Sequence, residues 1–269
     1  MKRAFAAWKW SLGVVARSYR TVVALAALIA LWGYAAYEWL GLAESSALLL
    51  ILALVWAIVQ LLAAAVMVGG TAAGAAEAAT SGGRSFPLRW MWTFGRKKLL
   101  TTIVFGLVSL AFVWLCSTVF DWINGHAVEV ASFLTFHFQK PVSYVLIGDI
   151  YEILEDLLWI IFGGFLLSFF IALLRTGWRG AAKQTGSLLG GCAFQTPFLT
   201  NLLTLAVFGG IAYELANWRP VVPPGFWDYT QMIVRFSFVL ILISAGVLFW
   251  PLALGRLQAP KHDSSPEAY

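Results

Sequence analysis

The chain has 269 residues, 61% of them hydrophobic and only 12% charged, and its mean hydropathy is +0.81. Soluble domains carry about a quarter charged residues, so there are too few charges here to coat a water-facing surface. Disordered, collagen-like and disulfide-stapled classes are excluded as well, because large apolar residues dominate and there are only two cysteines. What remains is an all-α, polytopic membrane protein.

The first 20 residues form the first predicted element. Phe5, Trp8, Leu12, Val15 and Tyr19 recur at helical spacing, with Lys2, Lys9, Arg17 and Arg20 to one side. This is the pattern of a helix lying in the cytoplasmic interface against anionic headgroups, or packed on its own bundle. The basic lead and the long apolar run that follows fit a cleaved signal peptide poorly, so the first span is read as a permanent anchor.

A bilayer crossing takes about 20 mainly apolar residues in a helix. Six segments qualify, at about 21–39, 46–69, 99–120, 153–174, 187–213 and 232–254, giving a six-helix transmembrane domain over 21–254. The stretch 130–148 is interrupted by His137, Gln139, Lys140 and Pro141 and reads as an interfacial or re-entrant element. Residues 255–269 are polar and read as a disordered cytoplasmic tail.

Threading these spans alternately places Lys2, Arg3, Lys9, Arg17, Arg20, Arg84, Arg89, Arg96, Lys97, Lys98, Arg175, Arg179, Lys183, Arg256 and Lys261 on one side. The other side receives only Lys140, Arg219 and Arg235 but most of the acidic residues. By the positive-inside rule both termini are cytoplasmic, and the expected home is a bacterial cytoplasmic membrane. The net charge of +5 then serves anionic headgroups, and no nucleic-acid partner is expected.

One feature rises above composition. Trp8-Lys9-Trp10-Ser11-Leu12-Gly13 recurs as Trp90-Met91-Trp92-Thr93-Phe94-Gly95, each time ahead of an outward span, with a fainter Trp178-Arg179-Gly180 ahead of span five. The chain can thus be read as parallel units, each an interfacial segment followed by a helical hairpin. Interfacial tryptophans alone would also explain the likeness.

Within the spans, small residues let helix backbones approach. Ala53, Ala57, Gln60 and Ala64 share one face of span two; Gly164, Ser168 and Ala172 repeat on span four; Gly186 and Gly190 open span five. Span five also carries Gln195, Pro197, Thr200, Asn201 and Thr204. A proline there removes a helical hydrogen bond and is expected to kink the span, freeing a carbonyl for protein, water or ligand. Transporters build midplane sites from such broken helices, so Gln60, Gln195, Pro197, Thr200 and Asn201 are candidate substrate-binding residues, with Gln60 the expected partner of Asn201. On the opposite side from the basic residues, Asp149, Glu152 and Asp156 share a helix face near Glu155, with His126, Glu129 and His137 preceding them. These residue types suit a divalent metal, although their spacing matches no metal motif.

No histidine lies within a span, no charge sits near a span centre, and no phosphate-binding loop, nucleophile elbow or zinc-protease helix is present. No cofactor and no catalytic residue is expected. Three function classes follow, in this order: a non-catalytic accessory or scaffold component with a membrane protein partner or a second copy of itself, a transporter or channel for a small solute using span five, and a membrane enzyme using the acidic and histidine cluster.

Overall fold

A computed structural model describes residues 2–41, 46–218 and 225–259. The helices are α1 (Lys2–Arg17), α2 (Tyr19–Leu40), α3 (Ala47–Ser81), α4 (Leu88–Lys97), α5 (Leu99–Gly125), α6 (Ala127–Phe138), α7 (Tyr144–Phe194), α8 (Thr196–Thr204), α9 (Ile211–Asn217) and α10 (Phe226–Gln258). A π-helical stretch, Leu205–Gly210, joins α8 to α9. Among the described residues there is no strand, and six helices are long and apolar enough to cross a membrane. The described residues are all-helical, and the six apolar helices are consistent with an integral membrane protein. Arg219, Lys261 and most of the expected tail lie outside the described residues; α10 itself continues to Gln258.

The fifth span is not the single kinked helix expected over 187–213. Helix α7 turns sharply at Gly177, whose φ of 72° and ψ of 176° a side chain would resist. A second arm, 178–194, follows and ends at extended Gln195. The membrane-length helix begins only at Thr196 and runs to Asn217. Pro197 therefore lies in the first turn of α8, where its missing N–H removes no helical bond. The apolar run 187–194 looked continuous with the span because hydropathy alone does not register a backbone turn.

Each long hairpin is thus preceded by a shorter helical arm. Helix α1 leads through Ser18 into α2, α4 through Lys98 into α5, and 178–194 through Gln195 into α8. Ser18 (φ −98°, ψ 23°) and Lys98 (φ −110°, ψ 12°) have almost the same conformation, whereas Gln195 is extended.

These arms pack against the long helices at one end, where the basic residues gather. At 35 residues, α3 is about 52 Å long, well beyond the ~30 Å hydrocarbon thickness. Its last turns, rich in Gly and Ala, are buried by the neighbours. A Cβ at Gly70 would collide with the Met91 backbone carbonyl, and one at Gly95 with that of Val66, so α3 and α4 meet backbone to backbone. Phe86, in the linker between them, is almost fully buried against Gly74. Its N–H donates to Ser18 Oγ and its carbonyl accepts from Thr21 Oγ1, both at 2.7 Å, which ties the linker to the α1–α2 junction.

Of the two arrangements expected for α1, packing on its own bundle is the one observed. Ala4, Ala7, Ser11, Val14 and Val15 form a buried face, packed on α8 and α10, while Phe5, Leu12 and the neighbouring Tyr19 point outward. Arg3 donates to the Leu257 carbonyl at 3.0 Å and Arg256 to the Ala79 carbonyl at 2.9 Å, satisfying carbonyls in the last turns of α10 and α3. Trp10 lies beneath the Arg256 guanidinium, 5.3 Å from ring to carbon.

The far end is different. There α2 and α3 are joined by indole and amide donors to main-chain carbonyls: Trp32 to Gln60, Trp39 to Ala53, and Trp56 and Gln60 to Ala35. Helices α5 and α7 share Asn124–Glu155 and the edge-to-face pairs Phe112–Phe162 and Phe120–Trp159. Arg235 of α10 donates to the Trp218 carbonyl just past α9. Among the described residues, every interhelical side-chain hydrogen bond at this end stays within one hairpin. The stretch 130–148, expected to lie wholly outside the spans, is divided: its first part belongs to the short helix α6, which packs through Ala127 and Ala131 on Ile147, whereas residues 144–148 already belong to the long helix α7.

Candidate functional site

The most polar part of the interior lies where α1, both arms of α7, α8 and α10 converge at the basic end. Helix α8 supplies Thr200 and Asn201, both with no exposed surface, and the nearly buried Thr204. Successive turns of one helix face put them in line, and Thr200 and Thr204 each donate back to a carbonyl four residues earlier. Trp8 of α1 donates its indole N–H to Thr200 Oγ1 at 2.9 Å. Trp250 of α10 donates to Asn201 Oδ1 at 2.8 Å. Ser168 Oγ lies 3.6 Å from Cys192 Sγ, and the Ser168 carbonyl accepts from Gln258 Nε2 at 3.1 Å.

Packing fixes this seam closely. A Cβ on Gly164 would collide with the Asn201 amide, so the glycine is what lets α7 accept that side chain. Of the expected ridge, Gly164 and Ser168 are buried at this seam, while Ala172 is buried in a separate cluster with Ala72 and Ala73. The ridge expected from Gly186 and Gly190 does not form, since a Cβ on either would meet nothing within 4 Å. The buried side of that arm runs through Ala181, Gly191 and Cys192, and Gly186 and Gly190 fall roughly opposite Ala181 on the helical wheel.

The candidate substrate residues are only partly brought together. Thr200 and Asn201 are adjacent in the seam, Pro197 is half-buried beside Gly191, and Gln195 is exposed at the helix break. Gln60 is elsewhere: its Nε2 donates to the Ala35 carbonyl at 2.8 Å in the α2–α3 hairpin. The expected Gln60–Asn201 pair is replaced by Gln60–Ala35 and Asn201–Trp250, because α3 meets α10 and α4 rather than presenting Gln60 to α8. Gln60 instead borders an apolar cavity of about 280 Å³ with Trp32, Trp56, Met67, Met91 and Trp92.

Asp149, Glu152 and Asp156 are exposed along one side of α7, and among the described residues no three His, Cys, Asp or Glu side chains gather as a metal site requires. Neighbouring Glu155 is engaged by Asn124 and Trp159, and His126 lies 3.9 Å from Glu129. A shared helix face brings carboxylates into line, but without a second element they do not converge.

Trp8, Trp250 and Cys192 were missed as members of the seam. A buried indole needs an acceptor for its N–H, and that requirement was the available signal. Chemically, the seam holds neutral donors and acceptors, most already paired; the Asn201 Nδ2 group and Ser11 Oγ are buried without a partner. Against known proteins, the chain matches no family model, no curated protein and no solved structure.

Proposed function

We propose that this chain is an integral protein of a bacterial cytoplasmic membrane, with the basic end and both termini cytoplasmic, acting as a non-catalytic scaffold or accessory component. The observation that carries this reading is the bareness of the far half. In the most apolar window of α5 only 6% of residues are buried, and in that of α3 only 17%. Leu107, Leu110, Trp114 and Leu115 of α5, and Leu50, Leu54 and Ile58 of α3, point away from the rest of the chain. Lipid can cover such faces, and so can the apolar helices of another chain. The pairing of the seam's polar groups supports the same reading, since Thr200 and Asn201 are bonded to Trp8 and Trp250.

Extraction in native lipid particles, followed by mass and composition analysis, tests it. Partner proteins or a second copy of the chain in fixed ratio are expected. A lone protomer in every preparation would overturn the scaffold reading.

A transporter is the second reading, favoured by the break at Gln195, the π-helical stretch after Thr204 and the unpartnered Asn201 amide. On that reading Asn201→Ala abolishes the cellular phenotype while assembly survives; on the scaffold reading Leu107→Trp or Leu110→Trp does the damage instead. We also propose that the first two hairpins arose by duplication, which the matching Trp-x-Trp motifs and the like conformations of Ser18 and Lys98 support.

A further inference from the structure

Four arginines of the basic end are engaged by contacts of their own. Arg3 and Arg256 hold helix-end carbonyls, Arg20 lies against Tyr19, and Arg96 lies over Trp92. Two basic residues instead border a cavity. Between the last turns of α3, the α4–α5 junction and the part of α7 just before Gly177 is a space of about 370 Å³, bounded by Glu77, Thr80, Phe94, Lys98, Leu174 and Arg175.

Two alanines of α3, with Phe94 and Leu174, supply an apolar wall; Lys98, Arg175, Glu77 and Thr80 supply the polar part. Lys98 and Arg175 are both half-buried. Glu77 also lines the space, yet it lies within 4.0 Å of neither cation, since the one ion pair among the described residues is His126–Glu129. The Thr80 hydroxyl is directed at carbonyls of its own helix. The lining therefore carries two cations against one carboxylate, with no cation neutralised by direct contact, and Arg96, Lys97 and Arg179 stand close by in sequence.

We propose that this cavity binds the phosphodiester of an anionic glycerophospholipid. The inference rests on the reading that the six long helices span a bilayer with the basic end at a headgroup layer. A phosphodiester is a compact anion whose oxygens accept hydrogen bonds from a guanidinium and an ammonium. Its glycerol and first acyl carbons match the Phe94–Leu174 wall beneath. A pocket between membrane helices with paired basic residues is the arrangement by which headgroups are recognised. Glu77 opposes a second negative charge in the same space, so a phosphodiester is preferred over a doubly charged phosphate monoester.

The test uses the full chain in detergent, with native mass spectrometry counting retained phosphatidylglycerol as short-chain lipid is titrated in. The wild-type chain is expected to hold one lipid tightly. Lys98→Gln with Arg175→Gln is expected to weaken that binding about thirtyfold. The paired control, Lys97→Gln with Arg179→Gln, removes equal charge outside the cavity and is expected to change binding by less than about threefold. Glu77→Gln is expected to tighten it.

Equal losses in the two double variants would mean diffuse attraction and overturn the site. No loss in the cavity variant would overturn it as well. If inorganic phosphate or glycerol phosphate raises the melting temperature with the same dependence on Lys98 and Arg175, and displaces the lipid, the ligand is a soluble anion and the lipid assignment falls. Circular dichroism confirms that each variant is folded. A chain that proves to have partners but no lipid here leaves the scaffold reading standing and removes this one alone.

Discussion

At the basic end, helices from all three hairpins touch; at the far end, each hairpin holds only to itself. The bonds show the contrast. Trp8 to Thr200 joins the first hairpin's leading arm to the third, Arg256 to Ala79 joins the third to the first, and Gln258 to Ser168 joins the third to the second. The far-end bonds, Trp39 to Ala53 or Asn124 to Glu155, never leave their own pair. Composition explains the difference. The basic end has Gly and Ala wherever two backbones approach, whereas α5 and the first half of α3 carry Leu, Val and Ile on every side, which suits lipid as well as protein. Within a bilayer, close approach and buried hydrogen bonds bind helices together, and apolar bulk alone does not.

The sharpest way to break this comparison is a matched pair of glycines. Gly70→Leu drives a side chain into the Met91 backbone, which has no flexible end to move aside, and should lower stability by about 3 kcal/mol or more. Gly106→Leu meets open space in α5 and should leave thermal unfolding within about 0.5 kcal/mol of wild type. Similar melting temperatures for the two variants in detergent would remove the contrast.

Smaller effects sharpen it. Asn201→Leu leaves the Trp250 indole without its acceptor and crowds Gly164, with an expected cost of about 2 kcal/mol by chemical denaturation. Trp8→Phe deletes the N–H to Thr200 together with the five-membered half of the indole; the hydrogen bond's share, at the average value of a membrane hydrogen bond, is about 0.6 kcal/mol. Double-mutant analysis of Trp8→Phe with Thr200→Val should recover that same small coupling; none at all would mean the bond adds nothing to the joint between hairpins. Least of all, Leu107→Ala and Leu110→Ala should leave stability unchanged while weakening any assembly formed through α5, read as a shift in particle mass.

Much of this architecture was legible in the residues. The six spans follow from apolar runs of bilayer length, and α6 stood apart because His137, Gln139, Lys140 and Pro141 interrupt its apolar surroundings. Gly164 and Ser168 were readable as a packing ridge from their spacing. Two things were not readable. The path of residues 175–197 depends on turns at Gly177 and Gln195, neither of which alters hydropathy, so Pro197 passed for an interior kink. The partners of Gln60 and Asn201 depend on how each helix is rotated against its neighbours. A single helix's periodicity names its polar face, but leaves open which helix that face will meet.

The contact between Arg3 and the Leu257 carbonyl has a consequence for biosynthesis. Helix α1 is the first of the described helices to leave the ribosome, and α10 is the last. The small-residue face of α1 packs on α8 and α10, so its docking site does not exist until nearly every other segment has been inserted. Trp8 has no Thr200 to meet until α8 has been made, and Arg3 has no Leu257 until α10 is complete. Docking of α1 is therefore a late event that reports the third hairpin's arrival. A chain interrupted before α10 would leave an undocked N-terminal helix, accessible to proteases and chaperones, as the mark of incomplete insertion.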